Sequence, residues 1–577
     1  MALDSDEGNT TEECASGPDD IFLNAYGPVN GFFKKFFDVP SQGAPPGPAT
    51  PITAGTKPQR RSKRGKVFLN LESLKRPFFS RSDGCNTFHS FEVDHVIILR
   101  QKKKPSDNLG LNEWQKINGV GYFQLPKTPW DNSKETRFIE RRAGFADLYG
   151  YAREIFQHQP ARLFLHCFHV FGDEVEPWLF DRTGAYSCKR FKVNGPEAQA
   201  MIDRYLTMDS EQLGLNMCFV RGLRSEYVLF GENENTQHVQ IIGSPLKQPK
   251  AVVDTKTPLC YPVVVGSHQD GQYGVVKLKW GPMATRYEEH LMRLAARNKV
   301  EGVTNLYFRD TQANMEKLHS GLAIVSAPCR WDSTQKPRGQ TIYLRLHVMV
   351  LGPLGRPLDK YVYEDEVLLA MRDAIKAHQM LYFKSGILHR DISSGNIVIS
   401  NHTDPFSGEK RFGTLIDFDH AIEIGNMQPY GPVVGTPRYL AIGLLRGEAH
   451  TYHHDLESFF YVFLWRATLG KKKRKECEGK LIYRWEDDRD GGAFKKATSM
   501  ASRGHFNAIV QQFQPEFQRY ASIAWAWRKT LFFPNSSIRA VFDARPRGPP
   551  EKVYDEMIQA VESALGLSSS TSGGRLR

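Results

Sequence analysis

The stretch Gly386-Ile387-Leu388-His389-Arg390-Asp391-Ile392-Ser393-Ser394-Gly395-Asn396 carries a carboxylate and an amide in the order H-R-D-x-x-x-x-N. That spacing suits transfer of a phosphoryl group to a hydroxyl. Asp391 would accept the hydroxyl proton, and Asn396 would return to the same cavity as a ligand for a magnesium ion. The residues between them read as a tight loop that turns both side chains inward. The apolar run Ile397-Val398-Ile399 comes next and reads as a strand. Further on, Leu415-Ile416 precedes Asp417-Phe418-Asp419, and Asp417 stands in the place of a carboxylate that holds Mg²⁺. Two motifs in this order and context weigh against unrelated acidic loops. A cation completes the set. In Gly274-Val275-Val276-Lys277-Leu278-Lys279-Trp280, Lys277 ends an apolar run and would meet the phosphates of a nucleotide. Lys279 lies one pleat later on the same face and is its rival. Its neighbours Trp280 and Gly281-Pro282 place it nearer solvent.

These groups need elements to position them. Arg286 to Arg297 reads as a helix with Leu291, Leu294 and Ala295 on one face. Glu288 or Glu289 would supply its ion pair to the lysine, and Glu288 falls in line with Leu291, Met292 and Ala295. Thr341 to Leu351 reads as a strand that ends at Gly352-Pro353. A helix is expected from about Tyr363 to Lys384, with an apolar stripe that includes Val367, Met371, Ile375 and His378, and with Gly386 as its stop. His378 on that stripe reads as a packed side chain. His420 to Arg438, closed by Gly435-Thr436-Pro437, would face the substrate. Asp455 to Trp465 is apolar nearly all round and predicts a buried helix. Lys471 to Lys475 is a basic loop, and helices are expected around Phe517 to Phe533 and Glu551 to Leu565.

A chain of 577 residues is too long for one compact core, so two or more domains are expected. Hydrophobic residues make up 40% of it, the net charge is +12 and the pI is about 9.1. None of the eight cysteines forms a C-x-x-C pair, which argues against a zinc or redox motif and suits a reducing compartment. The acidic N-terminus is unlike a signal peptide, and no run of about 18 apolar residues predicts a membrane span. An intracellular place, nucleus or cytoplasm, is expected. Residues 1–66 read as a largely disordered region, rich in Pro and Gly from Pro40 to Pro58. Within it, Phe32-Phe33-Lys34-Lys35-Phe36-Phe37 is an apolar island that would dock either on a partner or on the chain itself. The basic run Lys57 to Lys66 reads as a nuclear-import or nucleic-acid patch or as a solvated linker. A mixed α/β accessory domain is expected over 67–238. There Ala143 to Gln157 has helical spacing, Gly119-Val120-Gly121 reads as a strand turn, and Arg162 to Val170 is a strand. Strand alternation separates His166 from His169 and argues against a shared metal.

Taken together, these stretches resemble the fungal-type protein kinase family, a divergent branch of the protein kinases. The likeness is carried by His389-Arg390-Asp391-Ile392-Ser393 with Gly395-Asn396, by Leu415 to Asp419, by Gly435-Thr436-Pro437 and by Asp455 to Val462. Upstream, Gln159-Pro160 with Arg162, Asp181-Arg182-Thr183-Gly184 and Leu213-Gly214-Leu215 extend it. The resemblance implies an α+β protein with a two-lobed kinase-like fold over 239–566, preceded by the accessory domain and followed by a flexible tail at 567–577. It implies ATP and Mg²⁺ as cofactors and Ser or Thr hydroxyls of a protein substrate as acceptors. Asp391 would be the base, with Arg390 and Ser393 beside it. Lys277 and Glu288 would serve the phosphates, Asn396 and Asp417 the metal, and Asp455 would anchor the catalytic loop from beneath. Three departures stand out. Ser393 replaces a frequent lysine. The phosphate-covering loop, matched to Val253 to Thr257, lacks glycine and carries Asp254. Ala441-Ile442-Gly443 lacks the glutamate of A-P-E. The last two leave a kinase-shaped binding or scaffold protein as a second reading, beside a small-molecule phosphotransferase as a third; the family shares the first.

Overall fold

The computed structural model describes residues 25–37, 96–100, 117–124, 134–222, 225–231, 236–266, 271–282, 287–322, 344–404, 406–427, 433–472, 479–485, 489–533, 542–544 and 548–567. The basic run Lys57 to Lys66, the Pro-rich stretch before it and the tail from Ser568 lie outside them. The fold mixes α and β elements. No described helix is long and apolar enough to cross a membrane.

The first sheet contains β1 (Ala25–Tyr26), β2 (Val96–Arg100), β3 (Ile117–Gln124), β4 (Phe164–Phe171), β5 (Glu174–Asp181), β6 (Gly184–Ser187) and β7 (Phe191–Lys192). Its order is β1-β6-β5-β4-β3-β2, with β7 on β5. Strands β3 and β4 run parallel, which requires a crossover, and α2 (Lys134–His158) provides it. The expected stripe Phe145, Leu148, Tyr149, Ala152, Ile155 and Phe156 is buried against Trp178 and Phe180 on one face of the sheet. On the other face lie α1 (Phe32–Phe36) and α3 (Pro196–Thr207), which bury Phe32, Phe36, Met201 and Tyr205. His166 meets Phe36 and Tyr205, whereas His169 stacks on Tyr122, so the two imidazoles face opposite ways.

Two expectations are corrected here. Residues 25–37 do not share the disorder read for 1–66, because Phe32 and Phe37 are 0% and 5% exposed against the chain's own sheet. Gly119-Val120-Gly121 is no turn; it lies inside β3 and pairs on both sides, with β2 and with β4. The upstream motif residues act as internal ties. Arg162 donates to the carbonyls of Phe164 and Leu213, and Arg182 to those of Pro160, Ala251 and Val252.

The second sheet contains β8 (Phe219–Arg221), β9 (Glu226–Phe230), β10 (Gln237–Ile241), β11 (Leu259–Val265), β12 (Gln272–Pro282), β13 (Asn305–Asn314) and β14 (Leu344–Gly352). The order β13-β14-β12-β11-β10-β9-β8 places β12 between β11 and β14, and its first strands precede residue 239. Alternation divides β12: Val276, Leu278 and Trp280 enter one apolar cluster with Val348 and Val350, and Lys277 and Lys279 take the other face. Toward that second face packs α4 (Tyr287–Arg297), whose Leu291, Met292 and Ala295 join a cluster with Met349 and Leu351. A short helix α5 (Met315–His319) comes after β13.

The remaining chain is mostly helical. It holds β15 (Arg356–Pro357), α6 (Glu364–Ser385), β16 (Ile387–Leu388), β17 (Ile397–Thr403), β18 (Lys410–Leu415), β19 (Ile422–Glu423), α7 (Ile442–Leu445), α8 (Tyr452–Leu469), α9 (Arg489–Ala501), α10 (Arg503–Val510), α11 (Ala521–Phe532) and α12 (Pro550–Ala564). Gly386 ends α6 at φ 61°, the left-handed conformation a helix stop favours. All 18 residues of α8 are buried, as its sequence predicts. They form one core with α6, α11 and α12.

Candidate active site

The loop after β16 and the segment after β18 meet through their backbones. Ile416 N–H donates to the Asn396 carbonyl at 2.9 Å, and the His389 ring lies 3.0 Å from the Ile416 carbonyl. Three non-glycine residues among the described ones have positive φ, and Arg390 at 66° and Asp417 at 69° are two of them. Strain of this kind persists where surrounding contacts over-determine it. For Arg390 those contacts come from α8. Its backbone N–H and that of His389 donate to the Asp455 carboxylate at 3.1–3.3 Å. Asp455 also receives His378 and His450, each at 2.8 Å. Burial works against its charge, but the two histidines outweigh this and hold its carboxyl well below the usual range.

Above that anchor, Asn396 Nδ2 donates to the Asp391 carbonyl at 2.8 Å and to its Oδ2 at 2.9 Å. This turns Asn396 Oδ1 the other way. Asp391 Oδ1 receives both the backbone N–H and the hydroxyl of Thr436 at 2.8 Å. Gly435 before it has φ 117°, and a Cβ there would lie 2.8 Å from the Arg390 carbonyl, so only glycine brings Thr436 this close. Ser393 is 4% exposed and closes the loop through its carbonyl, which accepts the Asn396 N–H at 3.1 Å. The side chain of Arg390 has its Nε buried with no hydrogen-bond partner.

On the sheet side, Lys277 Nζ lies 2.9 Å from Glu288 and 2.9 Å from Asp417. The structure thus brings Glu288 to the lysine, while Glu289 pairs with Arg293 and Arg309. Burial alone would lower the Lys277 ammonium, but Asp417, Glu288 and Asp419 raise it well above its ordinary value. Burial, aided by the neighbouring carboxylates, pushes Glu288 up to about 8 against the pull of Lys277. Lys279 is more exposed than Lys277, 28% against 6%, as its position predicts. It is not idle, however, since its Nζ lies 2.6 Å from Asp419.

Val253 to Thr257, in the connection between β10 and β11, is tied to the first sheet. Val252 belongs to the α2 cluster, Arg182 binds the carbonyls of Ala251 and Val252, and Asp254 caps the N–H groups of Lys256 and Thr257. Burial of Val252 and the acceptors that Arg182 requires draw this segment onto the first sheet. The missing A-P-E glutamate also has a physical counterpart. A Cβ at Gly443 would meet the side-chain ends of His454 and Glu448, which would have to move aside. Instead, Glu457 of α8 accepts the Ile442 N–H at 2.7 Å, and Ser458 donates to the Tyr439 carbonyl at 2.8 Å. Lys496 of α9, 0% exposed, donates to the carbonyls of Arg438 and Leu440 at 3.0 and 2.7 Å. Sequence reasoning missed these three. A charged residue inside an otherwise apolar helix was the available signal for Glu457.

A family model described as fungal protein kinase matches residues 92–467, from ahead of β2 into α8. No curated protein matches the chain.

Proposed function

This chain belongs to the fungal protein kinase family, and from that premise we propose that it transfers the γ-phosphoryl group of ATP, with Mg²⁺, to Ser and Thr hydroxyls of proteins. In this reading the sheet β8–β14 with α4 forms one lobe and the helical body around α6 and α8 the other. Residues 67–238 are an accessory domain ahead of a kinase-like region at 239–566. The observation that carries the proposal is the double engagement of Lys277 with Glu288 and Asp417. An intact pair between this lysine and a helix glutamate, here Glu288 of α4, is what phosphoryl transfer in protein kinases requires.

Asp391 acts as the base: its carboxylate, oriented by Thr436 and Asn396, accepts the proton of the acceptor hydroxyl. Asn396 Oδ1 and the Asp417 carboxylate are hard oxygen donors of the kind that suit Mg²⁺. Lys277, freed from Asp417, turns to the phosphates while Glu288 keeps its ammonium in place. Bound ATP with its metal supplies the phosphoryl group and spreads the developing charge. Arg390 and Ser393 complete the loop that holds Asp391.

The test is calorimetric titration of ATP with and without Mg²⁺, combined with turnover on Ser/Thr peptides. Asp417→Ala is expected to abolish the Mg²⁺-dependent part of binding; an unchanged titration would remove Asp417 from the metal site. The absence of glycine from Val253 to Thr257, with Asp254 in it, and Gly443 in the A-P-E place favour a second reading, a kinase-shaped binding protein. Binding without turnover would support it, and turnover on small alcohols alone would support a small-molecule phosphotransferase.

A further inference from the structure

We propose that Lys279 and Asp419 are positioning residues, a clasp that holds the segment carrying Asp417 against β12 and leaves Lys277 to Glu288 and the phosphates. The inference rests on the kinase reading above. It starts from an oddity: Asp419 stands where the D-F-G pattern has glycine. Its carboxylate joins those of Glu288 and Asp417, and the three offer oxygens within 4.8 Å of one another. Lys277 alone would face all three, at 2.9, 2.9 and 3.3 Å. An extra carboxylate so close competes for the ammonium that must serve the phosphates, and like charges repel strongly where water is scarce.

The geometry resolves the conflict by matching two residues with two. Lys277 and Lys279 share one face of β12, with Leu278 between them in the opposite cluster. Across from them, Phe418 is 1% exposed in the core with its ring 5.8 Å from that of His389, while Asp417 and Asp419 on either side of it reach the lysines. Lys279 takes Asp419 at 2.6 Å, shorter than the 3.3 Å from Lys277. The two side chains are 28% and 16% exposed, so the pair is less screened than a surface ion pair. Glycine at 419 would leave Lys279 without this partner. Lys279→Met would leave Asp419 pulling on Lys277.

The experiment uses the full chain and the variants Lys279→Met, Lys279→Arg, Asp419→Asn and the double Lys279→Met/Asp419→Asn. It reads ATP affinity with Mg²⁺, kcat and KM on a peptide, and amide hydrogen exchange over residues 415–421. Lys279→Met should weaken ATP binding about tenfold or more, with faster exchange in that segment. Lys279→Arg should stay near wild type, and the double variant should recover most of the lost affinity because the stranded carboxylate is gone. Lys277→Met should lose ATP binding without rescue by Asp419→Asn. Exchange in Lys279→Met indistinguishable from wild type, or a double variant no better than Lys279→Met alone, would overturn the clasp. A wild-type chain that neither binds nor turns over ATP defeats the kinase reading, and the exchange comparison then still decides the clasp.

Discussion

Both oxygens of Asp391 are engaged, one by Thr436 and one by Asn396, and every one of these partners donates. Asp391→Asn would therefore do two things: remove the proposed proton acceptor, and point an amide N–H at a donor. We expect kcat to fall roughly 10²–10⁴-fold, the usual worth of a positioned base. Stability should drop by about 1–2 kcal/mol for the mismatched contact, and ATP affinity should change little. Wild-type peptide turnover by the purified variant would remove Asp391 from the base role. At this scale the sequence is most legible. Asp391, Asn396, Asp417 and Lys277 are read from residue type and spacing, and the structure brings Asn396 to Asp391 and Lys277 to Asp417. The surroundings of Asp455 were not legible, because His378 and His450 reach it from other parts of the chain. The stripe of α6 marks His378 as a packed residue, which it is, at 0% exposure, but its Nε2 also donates to the anchor of the catalytic loop.

At the scale of elements, α8 shows how an apolar helix hides polar work. Its burial follows from composition, yet Glu457 inside it holds Ile442 and receives the Tyr461 hydroxyl at 2.6 Å. Burial pushes this carboxyl up to about 7 from 4.5, against the pull of the Tyr461 hydroxyl and the Ile442 N–H. Below pH ~4.5 folded and unfolded chains both carry the proton. Between about 4.5 and 7 the folded chain alone keeps it, so stability from this group is lost as pH rises through that window. The loss should amount to ~2–3 kcal/mol. Denaturant melts of wild type and Glu457→Gln between pH 5 and 8 check it, since the variant should lack this slope; identical slopes would assign the titration to another group. Lys496 belongs to the same support. Its ammonium is spent on the carbonyls of Arg438 and Leu440 beside Tyr461 and Trp485. Lys496→Met should loosen the segment after Thr436 and raise the peptide KM while leaving ATP affinity near wild type. An unaltered peptide KM would separate this tie from substrate binding. Lys496 was not readable as an anchor, because its partners are backbone carbonyls that no motif records; the charge of Glu457 inside an apolar helix was a signal, but its backbone partner at Ile442 was not.

For the molecule as a whole, the sequence divided the chain by composition, and composition misjudged its beginning. The segment 25–37 sits among residues too polar and Pro-rich to build a core, yet it closes the first sheet and touches the chain just past α5. Ala25 and Tyr26 pair with Ala185 and Tyr186 of β6, and Val29 N–H donates to the Ser187 carbonyl at 2.9 Å. Phe32, Phe36 and Phe37 then bury themselves with Leu179, Tyr186, Met201 and Tyr205, and Leu318 and Leu322 pack against this cluster. Lys35 Nζ reaches the Ser320 carbonyl at 2.7 Å. Ser320 directly succeeds α5, whose His319 lies 2.7 Å from the buried Asp181 of β5. The first sheet, the strap over it and the chain leaving β13 thus share one apolar joint. Phe32 is 0% exposed at its centre, so Phe32→Ala should cost about 3–5 kcal/mol through lost burial and the cavity left behind. If the joint is local, exchange should rise first over β1, β6 and residues 315–322, with ATP affinity and the Lys277 to Asp417 contact unchanged. Hydrogen exchange and ATP titration on the same preparation test both halves. Equal stability in the variant would show that the strap rests on the sheet without supporting it. A parallel loss of ATP binding would show instead that the strap holds the catalytic face as well.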